Sequence, residues 1–223
     1  MNAEPRRAVA ALRLSASETR VLGCLMEKQR TTPDVYPLSL NSLRLACNQS
    51  TNRDPVVDYD EEAIRDALHR LERRGLVRLA GASRAAKYRH LLAEALPMDG
   101  GEQAIVCVLM LRGAQTPGEL KQRTERMHAF AGLDEVHATL ELLIERDLVQ
   151  RLERRPGQKE ERYIQLLQDE DGAEQRPLAA VQPSIAPPAS STLEELRGRI
   201  ERLEREVAEL RGATREGVGE TRP

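Results

Sequence analysis

Apolar positions fall into two stretches of helical spacing that answer to one another at a shift of 84 residues. Val21, Leu22 and Leu25 recur within ETRVLGCLMEKQRTTP, residues 18–33, and Ile105, Val106 and Leu109 within EQAIVCVLMLRGAQTP, residues 102–117, with no gap in the match. Both segments run into a Thr-Pro, where the missing N–H of proline and the restricted residue before it predict a helix stop. A second pair lies further on. EAIRDALHRLERRGLVRL (62–79) and DEVHATLELLIERDLVQRL (134–152) set Ile64, Leu68 and Leu71 against Val136, Leu140 and Leu143. Each predicts an amphipathic helix closing on a Gly or Asp before a short β-type run. A charged loop follows in each case, GASRAAKY or RRPGQKEERY, and then KYRHLL or RYIQLL. Shorter middle helices are expected near Ser39 to Cys47 and Pro117 to Met127.

Helix, short extended Thr-Pro segment, helix, longer helix, strand, basic loop, strand is the order of a winged helix-turn-helix, here used twice. The expected fold is mainly α with small β-hairpin wings (α+β): two tandem winged-helix domains, each burying its own apolar stripe, plus a C-terminal coiled-coil helix. Residues 1–13 form an N-terminal arm, 14–92 domain 1 and 98–167 domain 2. Residues 168–191, rich in Pro, Ala and acid, read as a flexible linker. Beyond it Leu193, Leu196, Ile200, Leu203, Val207 and Leu210 alternate steps of 3 and 4, the a/d seam of a coiled coil over 192–212, with 213–223 a disordered tail. In a parallel pair Arg199 would face Glu204, and Glu206 would face Arg211. This seam predicts a homodimer, and a helix folded back on its own domain is the other reading.

Composition narrows the function classes. No run of about 18 uncharged apolar residues exists, and the first residues lack the apolar core of a signal peptide, so a cytoplasmic protein without a membrane span is expected. Cys24, Cys47 and Cys107 stand apart without a CxxC pair, and His69, His90, His128 and His137 are scattered. Neither a metal set nor a nucleophile constellation is visible, which predicts a non-enzymatic protein with no cofactor and no metal. Charge separates the halves: 13 basic against 10 acidic residues over 14–92, but 10 against 12 over 98–167 and 8 against 12 over 168–223. Only domain 1 has the sign expected of a surface for double-stranded DNA.

The candidate nucleic-acid residues of domain 1 are accordingly Asn48, Gln49, Thr51, Asn52 and Arg53 in the loop ahead of the longer helix, Arg65, His69 and Arg70 on that helix, and Arg84 and Lys87 in the wing. A helix N-terminus and a guanidinium favour phosphate, and Asn or Gln can read adenine edges. The same short polar side chains can instead fold back and hold the loop. In domain 2 the equivalent helix face carries Asp134, Glu135, His137, Glu141 and Glu145, whose carboxylates DNA would repel, so that face is expected to pack on the other unit, on a second subunit or on a basic protein partner. Its wing residues Arg151, Arg154, Arg155, Lys159 and Arg162 remain candidates for a duplex backbone.

The segments TTPDVYPLSLNSLRLACNQSTNRDPV (31–57) and LRGAQTPGELKQR (111–123) closely resemble the YceH family of uncharacterised bacterial proteins. The resemblance runs from about Leu14 to Leu167 and, more loosely, into the heptads. It implies two consecutive winged-helix domains and a tendency to dimerise, and it brings no catalytic residues. The resemblance implies a basic residue in this loop where the chain has Ser50, a departure that removes one candidate phosphate contact and weakens the DNA reading.

Overall fold

In the computed structural model, residues 12–80, 86–154 and 160–169 are described. Helix α1 (Ala16–Thr31) starts at a capping box in which the Ser15 hydroxyl accepts from the Glu18 N–H and the Glu18 carboxylate accepts from the Ser15 N–H at 2.8 Å. A 3₁₀ turn, Pro33–Val35, leads through β1 (Leu38–Ser39) to α2 (Leu40–Cys47). After the 48–60 loop, Asp60 caps α3 (Glu61–Arg73), and β2 (Val77–Ala80), β3 (Lys87–His90) and the short α4 (Leu92–Ala95) complete the first half. The second half repeats the order: α5 (Gly100–Arg112), α6 (Pro117–Thr124), α7 (Leu133–Glu145), β4 (Val149–Leu152) and β5 (Arg162–Gln165).

The two Thr-Pro signals act differently. The first ends α1, as expected. The second begins a helix: Gly113, at φ 67°, has already turned the chain out of α5, Thr116 is the N-cap of α6, and Pro117 occupies the first helical position, where its missing N–H costs nothing.

The β elements follow one plan. In the first half the antiparallel order is β1-β3-β2, with Leu38 opposite Tyr88 and Val77 opposite His90. In the second half β4 pairs with β5, and Gln115 exchanges two backbone hydrogen bonds with Tyr163, standing to Tyr163 as Leu38 stands to Tyr88. The turn after each long helix is also shared. Gly75 and Asp147 both take positive φ, and the next residues, Leu76 and Leu148, donate back to Leu71 and Leu143 at 2.9 Å.

The apolar stripes Ile64, Ala67, Leu68, Leu71 and Val136, Leu140, Leu143 are buried as the pattern predicts, and the three thiols are buried and free. The halves do not keep separate cores, however. α1 is buried continuously from Glu18 to Met26 and α5 from Ala104 to Leu111, far beyond one stripe, because each packs on its own half and also on the other. Gly23 permits the approach: a Cβ there would lie 3.0 Å from Leu111 Cδ2 and 3.3 Å from Met110 Cβ. The Cys107 thiol donates to the Gly23 carbonyl at 3.3 Å, so residues related by the repeat meet face to face. One apolar cluster runs from Leu14 to Leu167, and the Leu14 N–H closes it on the Leu167 carbonyl at 2.8 Å. Residues 192–212, including Leu193, Leu196, Ile200, Leu203, Val207 and Leu210, lie outside the described residues.

Candidate functional site

The long helix of each half is fixed to the first helix by the same ion pair. Glu18, buried in the cap of α1, lies 3.6 Å from Arg74 at the end of α3 and 3.7 Å from Arg70. Glu102, buried in the cap of α5, binds Arg146 at the end of α7 at 2.6 Å. A carboxylate that already satisfies a helix N-terminus thus also orients the exposed face of the helix that follows.

The loop expected to meet phosphate is held from within. Arg53 is 5% exposed: its Nη1 and Nη2 bind the Glu27 carboxylate at 3.1 and 2.6 Å, and its Nε donates to the Ala46 carbonyl at 3.0 Å. Gln49 accepts from Arg53 at 3.0 Å, and Asn48 exchanges hydrogen bonds with the Tyr59 backbone at 2.8 and 2.9 Å. Arg20, also buried, donates to the carbonyls of Cys47 and Pro55. Arg53 is therefore held inside the loop, its N–H groups paired where water does not reach, while Gln49 and Asn48, partly exposed, brace the same loop. Burial alone would weaken the charge on Arg53, but hydrogen bonding and the charge of Glu27 more than offset it and hold its pKa above the ordinary value. Arg20 and Glu27 escaped the sequence reading; their signal is two charges seven residues apart on one face of the helix, flanking the apolar run 21–26.

The outer face of α3 is exposed, with Arg65, His69, Arg70 and Arg73 beside Glu62 and Asp66. Arg65 is paired with Glu61 and is still 61% exposed in its side chain. Arg78 is exposed on β2, Lys87 is half-buried on β3, and Arg84 lies outside the described residues. Thr51 and Asn52 are exposed at the loop tip, Asn52 with φ 61° and its Oδ1 accepting from Arg112 of the other half. In the second half Asp134, Glu135, His137, Glu141 and Glu145 all face solvent on α7, with Leu142 half exposed among them. Arg151 and Arg154 converge on Glu161 at 3.4 Å each, and Arg162 is bound to Glu119 at 2.7 Å, which spends part of that wing's charge; Arg155 and Lys159 lie outside the described residues. Among the described residues no three His, Cys, Asp or Glu side chains gather at metal-binding distance, and no helix is long and apolar enough to cross a membrane.

His90 is a buried histidine with a pH signature. Its Nε2 lies 2.6 Å from Gln29 Oε1, and its buried Nδ1 has no hydrogen-bond partner among the described residues. Burial, and then the charges of Arg89 and Arg30, lower its pKa to about 4. Between pH 6.5 and 4 the unfolded chain binds this proton and the native chain does not, so stability falls with acidification across that window. The loss is on the order of 3 kcal/mol once both states are protonated. Thermal melts from pH 7 to 4 should show the decline, and His90→Gln should flatten it; an equal slope in the variant would refute the assignment. Glu27 and Glu119, both depressed, add acid sensitivity only below the ordinary carboxylate value.

Residues 14–158 match the family model described as "Protein of unknown function, DUF480". The chain is 48% identical over 200 residues to a UPF0502 protein of Koribacter versatilis, covering 88% of this chain and 90% of the relative. It is 49% identical over 203 residues to a UPF0502 protein of Pelobacter propionicus (89% and 90%) and 47% over 202 residues to one of Solibacter usitatus (90% and 94%). A model spanning more than half of the sequence and relatives matched almost end to end agree: the chain belongs to the DUF480 family, the UPF0502 proteins of bacteria.

Proposed function

We propose that this protein is a cytoplasmic, dimeric tandem winged-helix regulator that acts by binding, not catalysis, and whose first half associates with double-stranded DNA. The observation that carries the reading is the first half's β1-β3-β2 sheet beside a helix pair, α2 and α3, with a polar exposed face on α3. That arrangement presents one helix to a major groove and a hairpin to the flanking backbone. Arg65, His69, Arg70 and Lys87 are the contacts retained by this reading, together with Thr51 and Asn52 at the loop tip and Arg84 in the wing. The heptads beginning at Leu193 supply the dimer seam.

A second reading has its own support in the second half. The exposed face of α7 combines four carboxylates with Leu142, which is 50% exposed. DNA would repel that surface; a basic protein partner would be attracted to it.

Fluorescence anisotropy of a labelled duplex at several salt concentrations decides between them. The DNA reading expects a log-log salt slope of about 0.9 per phosphate neutralised, and Arg65→Ala should make it shallower by about one contact. No salt-sensitive binding at micromolar protein would leave the docking reading in possession.

A further inference from the structure

A cleft with a volume of about 560 Å³ opens where the two halves meet. Its walls come from α1, the tip of the 48–53 loop, the end of α5, and α6 with the residues just after it. We propose that this cleft binds a small organic polyanion, its phosphate or carboxylate groups held by Arg112, Arg123 and Arg126.

Charge is the first argument. Four cations line the cleft, Lys28 with those three arginines, against the single carboxylate of Glu27. That carboxylate is already taken by Arg53 at 2.6 Å and faces Lys28 at 3.5 Å, so it neutralises little of what a ligand would meet. Arg123 shares Glu119 with Arg162, and Arg126 has no ion pair among the described residues. Burial and the neighbouring charges of Arg123 and Arg53 lower the proton affinity of Arg112. Four cations around two carboxylates that are each shared with a further arginine leave a net positive cleft, which an anion relieves.

Construction is the second argument. The Arg112 guanidinium donates to Asn52 Oδ1, and the Asp54 N–H donates to the Leu111 carbonyl at 2.9 Å, so the loop of one half positions a cation of the other. Val108, Leu111 and Met127 line an apolar stretch of wall, and Gln49, Thr51 and Gln122 offer neutral polar groups. A volume within the roughly 300–1,000 Å³ of small-molecule sites, apolar wall for a ligand's body and convergent cations for its charge describe a metabolite site. The cations line a concavity, which suits a compact ligand better than an extended backbone.

Isothermal titration calorimetry on the full chain at low ionic strength tests this, with pyrophosphate and citrate as probes. One probe molecule should bind per chain, and Arg126→Gln and Arg123→Gln should each weaken binding about tenfold, the effect of one charge-assisted contact. Arg126 is exposed, so its variant should fold even if Arg112→Gln does not. Arg151→Gln, on the β4–β5 hairpin away from the cleft, should bind as the parent does. No saturable binding of either probe to folded protein overturns the proposal, as does an equal loss in Arg151→Gln. A labelled duplex is titrated in parallel. If Arg126→Gln weakens duplex binding while neither probe binds, the cations serve a nucleic-acid backbone and the small-anion proposal is wrong. If the probes bind and the duplex does not, the proposal stands and the DNA reading falls.

Discussion

Arg53→Ala should lower folding stability by about 3–5 kcal/mol, the effect of stranding a buried charge. All five N–H groups of this guanidinium are used: two on Glu27, and one each on the Ala46 carbonyl, the Asn52 carbonyl and Gln49 Oε1. Its side chain is 0% exposed and that of Glu27 only 15%. The variant would leave Glu27 with Lys28 alone at 3.5 Å, on the rim, and would orphan the Ala46 carbonyl at the end of α2. At about 2–4 °C per kcal/mol for a folded region of this size, the melting temperature should fall by roughly 10 °C. Arg65→Ala, on an exposed pair, should move it by no more than about 2 °C. Circular dichroism melts of both variants make the comparison, and equal shifts would mean that Arg53 is not the internal support described.

Arg53 also marks where sequence reading stops. A loop rich in Asn, Gln and Arg before a helix is compatible with holding phosphate and with holding itself, and the choice depends on what lies behind the loop. Behind it lies Glu27, on another helix and 26 residues away. Periodic features were legible: the apolar stripes of α3 and α7, the helix turns at Gly75 and Asp147, and the matching places of Tyr88 and Tyr163 all follow from local pattern. Features made by one half against the other were not. Arg112, Arg123 and Arg126 stand on different elements from Lys28 and Asn52, and only the packing of α1 on α5 brings them around one cleft. The repeat itself misled on one point, because two copies of a unit suggest two cores.

A chain reduced to residues 12–97, the first half, should therefore not fold cooperatively, although its own pattern of elements is complete. α1 is buried on the side that meets α2 and α3 and again where Gly23 admits Leu111 and Met110. In the half-chain that second face is bare. Exposing even about five large apolar side chains at about 2 kcal/mol each forfeits some 10 kcal/mol, comparable to the whole stability of an ordinary domain. The half-chain would also lose the bond from the Asp54 N–H to the Leu111 carbonyl and the closure of Leu14 on Leu167. Calorimetry of the full chain should accordingly give one transition for residues 12–169, and the half-chain should give weak helical dichroism without a sigmoidal melt. A half-chain melting within about 5 °C of the full chain, where 1 kcal/mol is worth about 4–8 °C in so small a unit, would show that the α1–α5 contact is an accessory to two independent cores.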